Sequence, residues 1–329
     1  MADWQPDVLG DGYEQQVLEL GDDPDGQGQI VGTLVRREAP ANPIGAVLYV
    51  HGFTDYFFQT ELADFYTERG FAFFALDLRK CGRSRRPGQT PHYVSDLRHY
   101  DDAELSRALA AVRHETDDAP VLLSGHSTGG LVLSLWLDRL NAGDGGSRGA
   151  GISGLVLNSP FINLPGKASM RSWGTQWVRV MAKIRPFKVI NLPPGEGYGS
   201  SLHVSAHGEW DYDLEWKPIG GFPITYGWLN AIRRGHAHLH RGLDIGVPSL
   251  VLRSARSRSA PTWSPEVDDL DAVLDSRQIA RWAGCLGDAI TSVPITGARH
   301  DVFLSKDGPR AEAYLLLDRW LHDRELVSA

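Results

Sequence analysis

The stretch Gly125-His126-Ser127-Thr128-Gly129-Gly130 restricts what this chain can fold into more than any other. It follows the apolar run Val121-Leu122-Leu123 and precedes Leu131-Val132-Leu133-Ser134-Leu135-Trp136-Leu137. A short apolar run bounded by a turn reads as a buried strand, and a long one as a helix. A serine in a Gly-x-Ser-x-Gly turn between the two is the nucleophile-elbow arrangement. The glycines leave room for a turn so sharp that the hydroxyl stands clear of the sheet. The helix that follows aims its first amides at negative charge forming nearby. Ser127 is therefore the candidate nucleophile.

Reading outward from the elbow gives a repeating rhythm. Glu14–Leu20 and Ile30–Arg36 read as strands separated by turn residues, an opening hairpin. Ala46–Val50 is a continuous apolar strand, followed by a helix over about 57–69 that closes at Gly70. Phe71–Asp77 is the next strand, and a helix over about 96–114 carries Leu105, Ala108, Leu109 and Val112 at helical spacing. After the elbow comes the strand Gly154–Asn158. Such alternation predicts a mostly parallel sheet with helices on both faces.

From Phe161 to about Arg241 the rhythm stops, and the stretch holds Trp173, Trp177, Trp210, Trp216 and Trp228 among prolines and glycine-broken helical pieces. That is too long for a loop. Residues 161–241 are expected to form an inserted cap, with 1–160 and 242–329 as the core. The alternation resumes with a strand at Pro248–Leu252, a helix near Ser276–Gly284, a strand at Ile290–Ile295 and a last helix from Pro309. That helix turns Ala313, Leu316, Leu317, Trp320 and Leu321 inward.

The charge balance narrows the partners. A formal net charge of −8 argues against nucleic acid or an anionic membrane as the main partner, since both require a basic footprint. No apolar segment is long enough to suggest a membrane-spanning helix. The start of the chain lacks signal-peptide character, and Cys81 and Cys285 read as reduced thiols, so a cytoplasmic location is expected. The oligomeric state is not legible.

Three motifs in order carry a family resemblance: His51-Gly52-Phe53-Thr54-Asp55, Asp77-Leu78-Arg79-Lys80-Cys81-Gly82-Arg83-Ser84, and the elbow itself. They are similar to the His-Gly-x-x-Glu/Asp, Asp-x-Arg-x-x-Gly-x-Ser and Gly-His-Ser-Met-Gly-Gly loops of α/β-hydrolases, in particular the monoacylglycerol lipase and lysophospholipase group. The resemblance extends from about residue 44 to the C-terminus. It implies an α/β-hydrolase fold with an inserted cap and a serine esterase acting on a small hydrophobic ester through an acyl-enzyme, with no cofactor or metal.

A serine hydroxyl needs a general base held by a carboxylate, and in this fold the chain order is Ser, Asp or Glu, then His. His300 follows a strand, where the family's base resides, and is the expected base. The acid is harder to place because Arg253–Val267 interrupts the family pattern. Aligning Asp271-Ala272-Val273-Leu274-Asp275 with it makes Asp271 the acid, with Asp275 and Asp269 as alternatives and Asp275 better suited to cap a helix. The oxyanion donors are expected to be the backbone N–H groups of Thr128 and, by family position, Phe53. His51 and Gly52 would shape that loop and Asp55 would orient it.

Other features invite functional readings. His236, His238 and His240 suggest metal ligation, but no third ligand accompanies the pair one turn apart, so a cap helix with polar histidines is the better reading. Arg79, Arg83, Arg85 and Arg86 are expected to structure the loop beside Asp77 rather than bind an anion. The cap's tryptophans either line an acyl pocket or hold the cap on the core. Two rivals to an esterase stay open: another activity of the fold, such as an iminopeptidase, amidase or C–C bond hydrolase, and a non-catalytic ligand-binding protein.

Overall fold

The computed structural model describes residues 3–164, 168–192 and 195–326, without the side chains of 168–175. Nine strands form one sheet: β1 (Gln5–Pro6), β2 (Tyr13–Asp22), β3 (Gln29–Arg37), β4 (Gly45–Val50), β5 (Phe71–Asp77), β6 (Val121–His126), β7 (Ile152–Asn158), β8 (Ser249–Ser254) and β9 (Ile290–Ile295). Their spatial order is β1-β2-β3-β5-β4-β6-β7-β8-β9. The first three are antiparallel, β3 pairs antiparallel with β5, and every pairing from β5 to β9 is parallel. This is the α/β-hydrolase fold.

Strand composition follows position in the sheet. β4, β5 and β6 are buried at every residue, as central parallel strands covered on both faces must be. The helices are α1 (Thr60–Thr67), α2 (Ser106–Glu115), α3 (Thr128–Asn141), α4 (Gly146–Gly149), α5 (Ala168–Ile184), α6 (Glu196–Leu202), α7 (Tyr226–Leu239), α8 (Ser276–Trp282) and α9 (Asp307–Asp323). In α9 the buried stripe is Ala313, Leu317, Trp320 and Leu321, while Leu316 is half-buried. Helices α5, α6 and α7 all fall between β7 and β8, where the strand–helix rhythm stops.

Two helices differ from the sequence reading. α1 begins at Thr60 rather than near 57 because the Phe57 amide donates to Asp77 Oδ1, 2.8 Å away, instead of entering a helix. The helix expected over 96–114 is three pieces: a 3₁₀ turn at Leu97–Tyr100, a π turn at Asp101–Leu105, then α2. The wide π turn accompanies an inward Glu104, whose carboxylate is buried 2.9 Å from Arg79 Nε. Apolar spacing alone carries no signal for that ion pair.

The strand order reverses direction at β4, which lies between β5 and β6. Loops leaving β4 and β6 therefore part to opposite faces and open a crevice at the carboxyl ends of the strands. His51, Asp77, Ser127 and Asn158 stand at or just beyond the ends of β4, β5, β6 and β7.

Candidate active site

The elbow is held under strain. Ser127 has φ +50° and ψ −113°, a conformation that costs a non-glycine residue about 1–3 kcal/mol. Neighbouring backbone holds it there: its N–H donates to Asn158 O at 3.0 Å, and its carbonyl accepts from Phe161 N at 2.8 Å. Gly129 is required by close approach, since a Cβ there would overlap the carbonyl oxygens of Val50 and His51. Gly52 is fitted closely, since a Cβ there would meet Ser127 Cβ at 3.0 Å. At Gly129 the elbow is thus packed backbone to backbone against the end of β4.

His300 and Asp271 meet this serine although they are distant in sequence. His300 Nε2 lies 3.0 Å from Ser127 Oγ, and His300 Nδ1 lies 2.9 Å from Asp271 Oδ2. With Asp271 as acceptor, Nδ1 carries the proton and Nε2 faces the serine hydroxyl with its lone pair. The other carboxylate oxygen accepts the amides of Val273 at 2.8 Å and Leu274 at 2.7 Å. Asp271 is wholly buried. Of its two rivals, Asp275 caps α8 by accepting from Arg277 N, and Asp269 is exposed.

The Arg253–Val267 insertion is tied to that carboxylate's backbone. Asp271 N donates to Arg256 O at 2.9 Å and Arg258 N donates to Asp271 O at 3.0 Å, a one-residue parallel bridge centred on Ser257. The extra residues lengthen the path from β8 and then pair with its far end.

The loop after β4 is polar and ordered. His51 Nε2 accepts from Leu78 N at 3.1 Å, which leaves Nδ1 to donate to Gly52 O at 2.7 Å. Among the described residues, neither the Phe53 amide nor the Thr128 amide has a hydrogen-bond acceptor. Asp55 Oδ2 accepts from His126 Nδ1 at 3.1 Å and from Gly52 N at 3.4 Å, while Oδ1 faces Lys217 Nζ at 2.7 Å. Burial alone would raise the Asp55 carboxyl. The Lys217 ammonium and the His126 hydrogen bond outweigh it and hold the group well below the usual carboxylate range.

A serine, a histidine and a buried carboxylate in a hydrogen-bonded line beside unpaired amides is an arrangement able to carry out acyl transfer. Residues 41–276 match the Hydrolase_4 family, described as serine aminopeptidase, S33. The chain belongs to this family. No curated protein matches its sequence significantly. By structure this Hydrolase_4 member is similar to a soluble variant of monoglyceride lipase from Saccharomyces cerevisiae (18% identity, all of both chains covered, TM-score 0.67). It is also similar to a carboxyl esterase from Bacillus coagulans (15% identity, 94% of this chain and 98% of that one, TM-score 0.63). A third is a monoacylglycerol lipase from Paleococcus ferrophilus (17% identity, 90% and 99% covered, TM-score 0.59). At such identities the likeness establishes the fold and leaves the substrate open.

Sequence reasoning missed several residues around the Hydrolase_4 site. Asn158 donates from Nδ2 to Asp301 Oδ1 at 2.6 Å and accepts from Val302 N at 3.0 Å, which pins the loop bearing His300 to the end of β7. Tyr198 sets its ring edge-on to His300, 5.4 Å between centroids, and its hydroxyl accepts from Asp301 N. Nothing local to Asn158, Tyr198 or Lys217 in the sequence marks them, because each acts on a loop far away along the chain.

The tryptophans of 161–241 divide between roles. Trp228 packs tilted against Phe53, 4.2 Å between ring centroids, so it walls the loop after β4. Trp210 donates to Leu304 O, and Trp216 packs edge-on against Tyr56, so both fasten this region to the core. Trp177 is exposed, and the Trp173 side chain lies outside the described residues. His236 and His240 each sit within hydrogen-bond distance of a backbone carbonyl, of Phe161 at 2.6 Å and Ile162 at 2.8 Å. His238 pairs with Asp138. The three histidines therefore face three different partners.

The arginines beside Asp77 are likewise engaged. Arg83 bonds Asp7, Asp77 and Phe57 O, Arg79 bonds Glu104, and Arg85 bonds Glu215 O. Cys81 and Cys285 are free thiols. An open cleft of about 950 Å3 bordered by Asp7, Arg37 and Pro43 shares no residue with the Ser127 cluster. Among the described residues no helix is long and apolar enough to cross a membrane.

Proposed function

We propose that this chain is a serine hydrolase that cleaves carboxylic esters through an acyl-enzyme. The observation that carries the reading is the hydrogen-bonded line from Ser127 through His300 to Asp271. Ser127 Oγ attacks the ester carbonyl carbon as His300 Nε2 takes its proton, and the carbonyl π pair moves onto oxygen. The Phe53 and Thr128 amides receive that oxyanion, with His51, Gly52 and Asp55 supporting the loop. Collapse expels the alcohol, which leaves with the proton from His300. Water then attacks the acyl-serine, giving its proton to His300, and the acid departs as Ser127 regains its hydrogen. Asp271 keeps the imidazole in the right tautomer and stabilises its protonated form.

Residues 161–241 act as the cap and select the substrate. The reading favours a hydrophobic ester such as a monoacylglycerol or lysophospholipid. Phe53, Trp228 and Phe161 give the site an aromatic wall. Helix α5 and the residues after it expose Trp177, Val180, Ile184 and Phe187 among Arg179, Lys183 and Lys188. An apolar face flanked by cations suits a lipid–water interface, even on a chain of net charge −8. The similarity to monoglyceride lipases agrees with that class.

The family's description favours a second reading, hydrolysis of an N-terminal amide. Profiling on p-nitrophenyl esters of increasing chain length against amino-acid p-nitroanilides separates the two. Labelling by a fluorophosphonate, lost in Ser127→Ala, tests the shared mechanism. An intact protein that ignores the probe would overturn the enzyme reading in favour of a ligand-binding scaffold.

A further inference from the structure

A lysine from the region between β7 and β8 reaches the loop after β4. Lys217 is buried, its Nζ 2.7 Å from Asp55 Oδ1 and 3.5 Å from Thr54 O. The rings of Phe58, Tyr212 and Tyr198 surround the ammonium at 5.5, 5.7 and 6.0 Å. The same region grips this loop twice more: Phe222 N donates to Thr54 Oγ1 at 2.9 Å, and Asp213 N donates to Tyr56 OH at 2.8 Å.

The carboxylate in the middle joins the two halves of the site. One side of Asp55 holds the ammonium. The other holds Gly52 N, one peptide before the Phe53 amide, and His126, the residue before Ser127. The space beside Gly52 is closed by the same pair, since a Cβ placed there would meet Ser127 Cβ at 3.0 Å and His126 Nδ1 at 3.2 Å. A buried ion pair is a poor device for stability, since apolar replacements of the same size serve as well or better. It is a good device for fixing one geometry. Without the ammonium, a carboxylate in this dry setting takes up a proton or turns away, and the Gly52 amide and His126 lose their common acceptor.

We infer that Lys217 is a positioning residue for the oxyanion loop: through Asp55 it fixes Gly52–Phe53 against Ser127, so that docking of the cap and readiness of the oxyanion hole are one event. This rests on the reading that the Phe53 amide receives the oxyanion. It adds a cap residue to the machinery and predicts that loosening the cap costs turnover, not merely substrate selection. A loop displaced by about 1 Å costs on the order of 100-fold in rate.

The test compares wild type, Lys217→Met, Lys217→Gln and Lys217→Arg in the full chain. Each is assayed for kcat and KM on p-nitrophenyl butyrate, for affinity toward an alkyl trifluoromethyl ketone that forms a tetrahedral adduct, and for thermal midpoint. The expected result for the neutral variants is a kcat lower by about 10- to 100-fold, KM within about threefold, and a similar loss of ketone affinity. Lys217→Arg restores most of both. Neutral variants that keep wild-type kcat and ketone affinity overturn the inference, as does a loss confined to KM. Failure of both neutral variants to fold also overturns it, since the lysine is then structural. Should wild type itself fail to react with a fluorophosphonate at Ser127, the underlying reading falls instead, and the two failures are distinct.

Discussion

His300 Nδ1 and Asp271 Oδ2 lie 2.9 Å apart, and the far oxygen of the same carboxylate accepts two consecutive backbone amides, Val273 and Leu274. Three of the carboxylate's roughly four acceptor sites are thus occupied, which holds it in one orientation. Asp271→Asn keeps the shape but offers the imidazole a donor where it needs an acceptor, reversing the tautomer. We expect kcat to fall by about 10⁴ with little change in KM. Asp275→Asn, at a helix N-cap where asparagine serves equally, should leave kcat within about twofold. Steady-state kinetics on one short ester decides between them, and the opposite ranking would move the acid to Asp275.

Gly129→Ala should be among the most damaging single changes in the chain. Its Cβ would overlap two backbone carbonyl oxygens, of Val50 and His51, which cannot move without shifting β4. A destabilisation of about 3 kcal/mol or more is expected in urea unfolding. A variant within 1 kcal/mol of wild type would mean that the elbow does not sit against β4 as described.

Asn158→Ala removes a donor to the buried Asp301 carboxylate and an acceptor for Val302 N. Loss of hydrogen bonds to buried, partly charged groups costs about 2 kcal/mol. Because the affected loop carries His300, kcat should fall with it. Chemical denaturation and kinetics measured on the same preparation test both parts.

His236 links stability to pH. Burial, aided by nearby His240 and Arg233 and only partly opposed by the Phe161 carbonyl, holds its pKa down at about 3. The folded state therefore keeps the ring neutral while the unfolded chain takes up a proton near the ordinary value of about 6.5. The contribution is complete above that value and is lost as the pH falls toward the folded pKa. The slope is about 1.4 kcal/mol per pH unit. His236→Gln, which still donates to a carbonyl and does not titrate, should narrow its stability gap to wild type along that slope between about pH 6 and pH 4. A gap that stays constant with pH would show the ring to be protonated in the fold.

The amino-acid sequence alone determined the alternating strands and helices, the elbow at Ser127, the loop after β4 and the place of His300 behind β9. Those features are written in contiguous residues. Burial on both faces demands unbroken apolar runs, a sharp turn demands glycine, and a helix start after a strand end follows from both. Tertiary structure decided what contiguous residues cannot express. It set Asp271, of three nearby aspartates, against His300, with the inserted segment returning to pair with its backbone. It broke the helix expected over 96–114 to bury Glu104 against Arg79. It also carried Asn158, Tyr198 and Lys217 to loops they never approach in sequence. A buried charge or polar group is satisfied by whichever partner the packed chain delivers, and that partner is a property of the whole fold.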